Sequence, residues 1–496
     1  MNFKKVFCLL LSVMMIISAF SASAVSAGAE NGLPGTAFGG SQPPEKPDGE
    51  APGEPPKGMG GPGGGMGTPP DGIPGGMGGP GGGTSGGGPG SSSADIDYSG
   101  AVEITSAETQ ENQTYETSTE DQSALLISTT EDVSISNPTV RKSGSSTGGD
   151  SCNFYGLNAA VLVKDGSATT ITGGTITSDA DGANGVFSYG GNGGRNGAEG
   201  DGTTVIIRNT VITTSGNGSG GIMTTGGGTT HAYDLTVTTS GRSSAPIRTD
   251  RGGGTVYVDG GSYTSNGLGS PAIYSTADIT VENAELTSNL SEGVCIEGKN
   301  SITLLNCDLT ASNTKCNGNA SFLDSIMIYQ SMSGDADSGT SSFTMTGGSL
   351  ASRSGHVFHV TNTNAVINLT DVEICNEDAS GVLLSVCDDG WNGAGNIATL
   401  NADGQELSGT ILVGSNSVLT LNLTNGSSLT GSVSGEIVNA KGDTVSTEVG
   451  TADVSLDSTS TWSLTGDTFI SSFSGDTANI SFNGYTLYVN GTAVNS

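Results

Sequence analysis

The sequence predicts an all-β fold in which short strands stack as the rungs of a solenoid, and three observations support this prediction. First, a pattern of an apolar residue, a spacer, a Gly, Asn or Asp, two spacers and a second apolar residue returns eight times between Ile171 and Ile374. Second, nine further apolar strands accompany these copies at spacings of 21 to 36 residues. Third, Thr, Val, Ile and Ser dominate the strands, without helical periodicity. A fixed unit with insertions of variable length is typical of a solenoid.

The third place of the pattern predicts a tight turn with left-handed backbone. The residues at this place are Gly173, Asn209, Asp234, Gly260, Asn283, Asn306, Gly347 and Asp371. Gly, Asn and Asp are the residue types that adopt positive φ at least cost. The recurring turn is therefore expected to set the register of the rungs.

Residues 1–27 are expected to form a secretory signal peptide. Lys4 and Lys5 precede an apolar run that ends at Ile17, and small residues offer a cleavage site at Ala27. The apolar run is too short to span a bilayer. We therefore expect a secreted or extracellular protein that is either released or held at a cell surface by a noncovalent route. We do not expect it to be inserted in a membrane once the signal is removed.

Residues 28–95 are expected to be a disordered tether. They consist largely of Gly, Pro and Ser with a few Met, and Gly-X-Y periodicity is not sustained. Such a composition buries too little apolar surface to offset the conformational entropy lost on ordering. The two segments that follow, 96–389 and 390–496, carry the main repeats and the C-terminal rungs with their cap.

The chain is strongly acidic, with 16 basic and 49 acidic residues and a net charge of −33. Removal of Lys4 and Lys5 with the signal peptide leaves 14 − 49 = −35. Nucleic acid is therefore not expected as a partner, because its phosphates would be repelled. No cofactor is expected; calcium is the cation that such a surface would attract, and its ligands are not identified by any motif.

Six cysteines remain after the signal peptide: Cys152, Cys295, Cys307, Cys316, Cys375 and Cys387. A secreted chain with an even number of cysteines allows up to three disulfides, and the pairing is left open. We expect them to pin long loops. Their spacing does not match a zinc site.

The rung of 21 to 26 residues, with short strands and a left-handed turn, resembles the right-handed parallel β-helix of the pectate-lyase-like superfamily. Beyond Asp389 the register changes, and the pattern reappears as Leu464-Gly466-Phe469 and Phe482-Gly484-Leu487. Residues 460–467 resemble the end of a pertactin-type autotransporter passenger, without the membrane barrel of that family. The resemblance implies a fold of stacked parallel strands around a continuous apolar core.

A candidate binding surface follows from the register, because the residue after an inward-facing one points outward. The residues expected to face inward are Val161, Val186, Ile222, Ile247, Ile273, Val294, Ile326, Val357 and Val382. The rule therefore predicts an outward column of Leu162, Phe187, Met223, Arg248, Tyr274, Cys295, Met327, Phe358 and Leu383. An exposed apolar column would suit sugar rings or a protein surface. The alternative is that insertion loops fold over the column and bury it.

The densest charged cluster lies on the same face. Arg248, Asp250 and Arg251, with Tyr274 and Glu297 on the next rungs, offer guanidinium groups suited to the carboxylate of an acidic sugar. Pectate lyases use a basic residue and calcium-binding acids, but only the residue types are shared here.

Two other groups of residues are weaker candidates. Asp388 and Asp389 resemble an aspartate pair of glycoside hydrolases whose companion motifs are missing. His359 is expected to face the interior.

These observations favour a non-enzymatic, adhesin-like scaffold that binds a glycan or a protein surface, and no catalytic residue is assigned. The candidate ligand-binding residues are Phe187, Met223, Arg248, Asp250, Arg251, Tyr274, Glu297 and Phe358. One alternative is a polysaccharide lyase or glycoside hydrolase acting on acidic polysaccharide. A second is a purely structural surface spacer.

Overall fold

A computed structural model describes residues 96–193 and 199–494. The expected signal peptide, 1–27, and the expected tether, 28–95, lie outside the described residues. The predicted all-β solenoid is confirmed: parallel strands stack rung upon rung on three sides.

The first sheet contains thirteen parallel strands. They are Ser99–Ile104, Gln122–Ser128, Val161–Lys164, Val186–Tyr189, Ile222–Thr225, Ile247–Thr249, Ile273–Ser275, Val294–Glu297, Asp324–Tyr329, His356–Thr361, Val382–Val386, Thr410–Val413 and Val433–Ser434. Strands adjacent in this sheet lie one rung apart in sequence, so each return of the chain adds one strand.

The second side of the solenoid is also parallel. Its strands are Glu108–Glu111, Asp132–Ser136, Ala168–Thr172, Thr204–Arg208, Gly228–Thr239, Gly254–Ser265, Asp278–Glu282, Ser301–Leu305, Thr340–Thr346, Asn364–Thr370, Asn396–Asp403, Ser417–Thr424, Thr451–Leu456 and Ser472–Ser474. The long strands Gly228–Thr239 and Gly254–Ser265 continue onto the third side and join both sides into one sheet of 22 strands.

The third side completes each rung. Its other strands are Thr114–Thr117, Thr139–Lys142, Thr175–Ser178, Val211–Thr214, Glu285–Ser288, Asp308–Ala311, Ser349–Ser352 and Glu373–Asn376, followed by a separate parallel sheet of Glu406–Ser408, Ser428–Thr430, Thr461–Ser463 and Ile480–Ser481. Parallel stacking therefore continues beyond residue 390.

A few elements lie outside this pattern. Glu436–Val438 pairs antiparallel with Thr444–Thr447, and a small sheet of Thr468–Ile470, Leu487–Val489 and Thr492–Val494 ends in an antiparallel pair. A short α-helix spans Ser151–Phe154, and a 3-10 turn spans Thr477–Asn479. No helix in the described ranges is both long and apolar enough to cross a membrane.

The core is a set of apolar columns along the inside of the solenoid. Side chains alternate between the two faces of each strand, so every second residue enters the interior. One such column contains Ile207, Ala232, Val258, Val281, Leu304, Met345 and Leu369, all fully buried. Each residue of a column is buried by the rungs on both sides of it, so the core runs continuously along the solenoid instead of forming a single globular centre.

The predicted left-handed turns are confirmed at all eight positions. Their φ angles are 68° at Gly173, 50° at Asn209, 51° at Asp234, 73° at Gly260, 55° at Asn283, 52° at Asn306, 64° at Gly347 and 51° at Asp371. The same conformation occurs at Asn137 before the first copy and at Gly404 and Asn425 after the last. The turn residues thus repeat between the second and third sides.

The expected register is wrong for the last rungs of the first sheet. Phe358, not Val357, pairs with the inward-facing Ile326, and Leu384 follows Phe358. Phe358 therefore faces the solenoid interior, where its ring meets Phe343 edge to face. His359 takes the outward place next to Met327, so the expectation of an inward-facing His359 is also wrong.

The outward column of the first sheet is covered. Leu162, Phe187 and Met223 are buried with Tyr155, and Tyr274, Cys295 and Met327 are buried with Trp391. Tyr155 and Trp391 come from the segments between strands, which fold over the sheet. The expected exposed platform is therefore absent, and the alternative of covering loops is correct.

The expected disulfides are not found in the described ranges, where Cys152, Cys295, Cys307, Cys316 and Cys387 are free thiols. Cys307 belongs to the solenoid interior, whereas Cys295 and Cys387 lie in two different clusters on the outside of the first sheet. Burial raises the pKa of the Cys295 and Cys387 thiols well above the usual range.

Candidate functional site

A cavity of about 440 Å³ opens over the outer face of the first sheet, where the covering segments do not fully meet. Its floor comes from the strands that carry Arg248, Cys295, Met327 and Tyr329. Its walls and rim come from seven segments between strands, one of which contributes Trp391. The wall and rim residues are Asp150, Asn153, Phe154, Arg242, Ser243, Asp250, Arg251, Glu292, Asn317, Gly318, Asn319, Ala320, Ser331, Ser333, Asp335 and Trp391.

Arg248 is a buried cation in the floor. Its Nη2 donates to Asp250 Oδ2 at 2.7 Å, and its Nη1 donates to Ser243 O at 3.0 Å and to Asn153 Oδ1 at 3.3 Å. Its Nε is buried without an acceptor. The guanidinium therefore links the sheet to the short helix that carries Asn153. It also places a positive charge in the cavity of a chain whose net charge is −33.

Arg251 forms another part of the cavity lining and remains partly accessible, with 24% of its side chain exposed. Its Nε and Nη2 both donate to Asp335 Oδ1, at 3.2 and 2.7 Å. Its guanidinium also lies over the ring of Phe154, 4.0 Å from the centroid. Arg251 therefore contacts two covering segments, those of Asp335 and Phe154, while Nη2 of Arg242 donates to Asn317 Oδ1.

Glu297 accepts hydrogen bonds from four residues in or next to the cavity lining. It is fully buried, and its Oε2 accepts from Tyr274 Oη at 2.5 Å and Tyr329 Oη at 3.1 Å. Its Oε1 accepts from the hydroxyls of Ser331 and Ser333. Because Tyr329, Ser331 and Ser333 line the cavity, Glu297 fixes their positions without lining it.

Burial raises the pKa values of two carboxyl groups around the cavity. Burial raises the pKa of Asp250 to about 7, although Arg248 acts in the opposite direction. Burial also raises the pKa of Glu292, which accepts from Ser291 and Asn313. The cavity therefore combines guanidinium groups with carboxyl groups whose pKa values are raised by burial.

Trp391 provides an aromatic surface. It is largely buried, and its ring lies 4.9 Å from that of Tyr329 at an angle of 53°. Tryptophan and arginine together offer an apolar face and directed donors, the combination found in many ligand sites.

The structure brings together only part of the predicted site. Arg248, Asp250 and Arg251 line the cavity, and Tyr274 and Glu297 lie directly beneath it. Phe187 and Met223 lie instead in a separate buried cluster with Leu162 and Tyr189.

Sequence reasoning missed Trp391, Asp335, Glu292 and Phe154. These residues belong to or border irregular segments, to which the strand pattern assigns no direction. The longer intervals between rungs were the only signal that such segments exist.

The aspartate pair lies outside the cavity. Asp389 Oδ1 accepts from the backbone and hydroxyl of Ser321, and its Oδ2 lies 3.4 Å from His359 Nε2. The ring of Phe322 stacks on His359 at 4.7 Å. This arrangement fastens the covering segment that supplies residues 317–320 of the cavity.

Two further findings bear on function. Within the described ranges, no three His, Cys, Asp or Glu side chains are grouped so as to hold a metal ion. No family model, curated protein or solved structure matches the chain.

Proposed function

We propose that this chain is a secreted or surface-associated, non-enzymatic β-helix scaffold, adhesin-like in role, that binds a glycan or a protein surface through the cavity. We further propose that its fold belongs with the pectate-lyase-like β-helices and that its last rungs correspond to those of pertactin-type passengers. The observation that carries the functional proposal is one cavity that combines Arg242, Arg251 and Trp391.

The chemistry of the cavity favours an acidic sugar as the ligand. A volume of about 440 Å³ lies within the range of small-ligand sites, roughly 300–1,000 Å³. The face of Trp391 suits the apolar face of a sugar ring, and guanidinium groups suit its carboxylate. The net charge of the chain opposes anions at long range, so binding would depend on these local cations.

A glycan array followed by titration calorimetry tests the proposal. We expect Trp391→Ala to weaken binding of the best glycan by roughly tenfold or more, as the loss of a buried aromatic anchor usually does. The matched control is Phe469→Ala, because Phe469 is exposed and lies in the small C-terminal sheet. Binding that survives Trp391→Ala and Arg251→Ala unchanged would refute this use of the cavity.

The enzymatic alternative, a lyase or hydrolase of acidic polysaccharide, is favoured by one observation. Arg248, Asp250, Arg251 and Glu292 converge on one cavity, and the raised pKa values of Asp250 and Glu292 suit proton donors. Depolymerisation of polygalacturonate, lost in Glu292→Gln and Asp250→Asn, would replace the scaffold proposal with this one. A purely structural spacer predicts neither binding nor turnover.

A further inference from the structure

A buried lysine lies beside a buried asparagine at the base of the segment that forms one cavity wall. Lys142 ends the strand Thr139–Lys142 and is 2% exposed, and Asn158 is 1% exposed with a φ of 72°. The residues between them include Asp150, Asn153 and Phe154, which line the cavity. A lysine is rarely buried to this extent, so its partners require an explanation.

The two side chains share one acceptor. Lys142 Nζ and Asn158 Nδ2 both donate to the carbonyl oxygen of Gly144, the latter at 2.9 Å. Lys142 Nζ also donates to Thr119 O at 2.8 Å, and Asn158 Nδ2 lies 3.3 Å from Asp181 O. Two nitrogens on one acceptor lie within about 6 Å of each other. The amide oxygen of Asn158 is buried without a donor.

The surroundings favour a reactive amine. Burial lowers the pKa of Lys142 to about 8, against the opposing charges of Asp121, Asp179 and Glu120. Roughly a tenth of the amine is therefore neutral at pH 7 and about half at pH 8. Asp121 is held in place by the hydroxyls of Ser146 and Thr147, so a carboxylate stands fixed near the amine.

We propose that Lys142 and Asn158 form an intramolecular isopeptide bond. The lone pair of neutral Nζ attacks Cγ of Asn158, the new C–N bond forms, and the bond from Cγ to Nδ2 breaks. One proton passes from Nζ to Nδ2, and Nδ2 leaves as ammonia. The step exchanges one amide for another, so it requires no oxidant, reductant or further reactant.

The bond would close a loop of seventeen residues, 142–158, and fix the cavity wall to the solenoid. Such a cross-link restricts the unfolded chain in the way that a disulfide does. Cys152, the one cysteine in this loop, is a free thiol, so no disulfide closes the loop. The inference rests on Lys142 and Asn158 alone and does not depend on what the cavity binds.

Tryptic peptide mapping of the full-length secreted protein tests the bond directly. Trypsin cleaves after Arg141 and Lys142, and the next basic residue is Lys164. An unlinked chain yields the peptide 143–164. A linked chain resists cleavage at Lys142 and yields the cyclic peptide 142–164, lighter by one ammonia than the linear sequence. Deamidation of Asn158 leaves Lys142 cleavable, so it cannot produce the cyclic peptide.

Two variants sharpen the experiment. Asn158→Ala is expected to abolish the cyclic peptide and restore cleavage after Lys142, whereas Lys299→Arg, at an exposed lysine, retains it. If Asn158→Ala fails to fold, the tryptic peptide map of the wild-type protein still shows whether the isopeptide bond is present. Recovery of 143–164 as the only product from folded wild-type protein would overturn the proposal.

Discussion

The stacked left-handed turns predict a graded response to alanine at three glycines. Gly404, Gly347 and Gly348 all have positive φ, at 61°, 64° and 74°. A Cβ at Gly404 has no neighbour closer than 3.8 Å, whereas at Gly347 it would lie 2.7 Å from the side-chain oxygen of Asn306. At Gly348 it would lie 2.0 Å from the backbone oxygen of Cys307 on the preceding rung.

The costs follow from these distances. Each alanine costs about 1–2 kcal/mol for its left-handed backbone, and Gly404→Ala should cost only that. Gly347→Ala requires a side chain to move and should cost slightly more. Gly348→Ala must also displace the backbone of the neighbouring rung, which adds about 1–3 kcal/mol and brings its total to about 2–5 kcal/mol.

Urea denaturation followed by circular dichroism measures this series. The unfolding midpoint is expected to fall in the order Gly404→Ala, Gly347→Ala, Gly348→Ala, with the largest drop for the last. Equal midpoints for Gly404→Ala and Gly348→Ala would refute the argument that rung contact, beyond backbone conformation, requires glycine at position 348.

Two further predictions concern buried carboxyl groups. The pKa of Asp250 is raised to about 7 from about 4 in an unfolded chain, so its contribution to the unfolding free energy falls as pH rises between these values. In denaturation curves measured from pH 4 to 7, Asp250→Asn should remove this contribution to the slope of unfolding free energy against pH. A slope unchanged by the substitution would contradict the prediction. Asp389→Ala removes two hydrogen bonds that Ser321 donates, so it should raise the rate of amide hydrogen exchange in residues 316–323 by roughly tenfold or more. The control is Asp388→Ala, which should leave that rate unchanged because the Asp388 carboxylate accepts from Asn396 instead. Equal exchange rates in the two variants would contradict the assigned role of Asp389.

The repeated turn could be predicted from the sequence because its cause is local. Asn209, Asp234 and Asn283 adopt positive φ for reasons that lie in their own side chains, and the spacing of such residues reports the rung directly. The parallel arrangement followed from that spacing and from the apolar columns. Local preference and tertiary structure agree here, so each supported the other.

The direction of single side chains was less predictable. Val357 and Phe358 are adjacent apolar residues, and either could begin the inward alternation; the pairing of Phe358 with Ile326 decides between them. A shift of one residue turns every side chain of a strand to the other face. For this reason Phe358 faces the interior and His359 faces outward, the reverse of the prediction.

The cavity could be predicted only in part. Arg248 lies on a strand whose register is as predicted, and Asp250 follows directly after that strand, so their proximity was foreseeable. Trp391 and Asp335 come from segments that have no period, and their positions follow from long-range contacts with Tyr329 and Arg251. Similarly, an even number of cysteines allowed disulfides, but the rungs place the thiols on different faces.

The central claim, that the cavity over the first sheet binds a ligand, is tested most directly by the fluorescence of Trp391. The chain has two tryptophans, and Trp462 is fully buried in the solenoid core, so a Trp462→Phe variant leaves Trp391 as the only reporter. We predict a saturable change in its emission on titration with an oligosaccharide of acidic sugars, reduced in Arg251→Ala. An oligosaccharide that binds the protein by calorimetry but leaves this emission unchanged would contradict the claim.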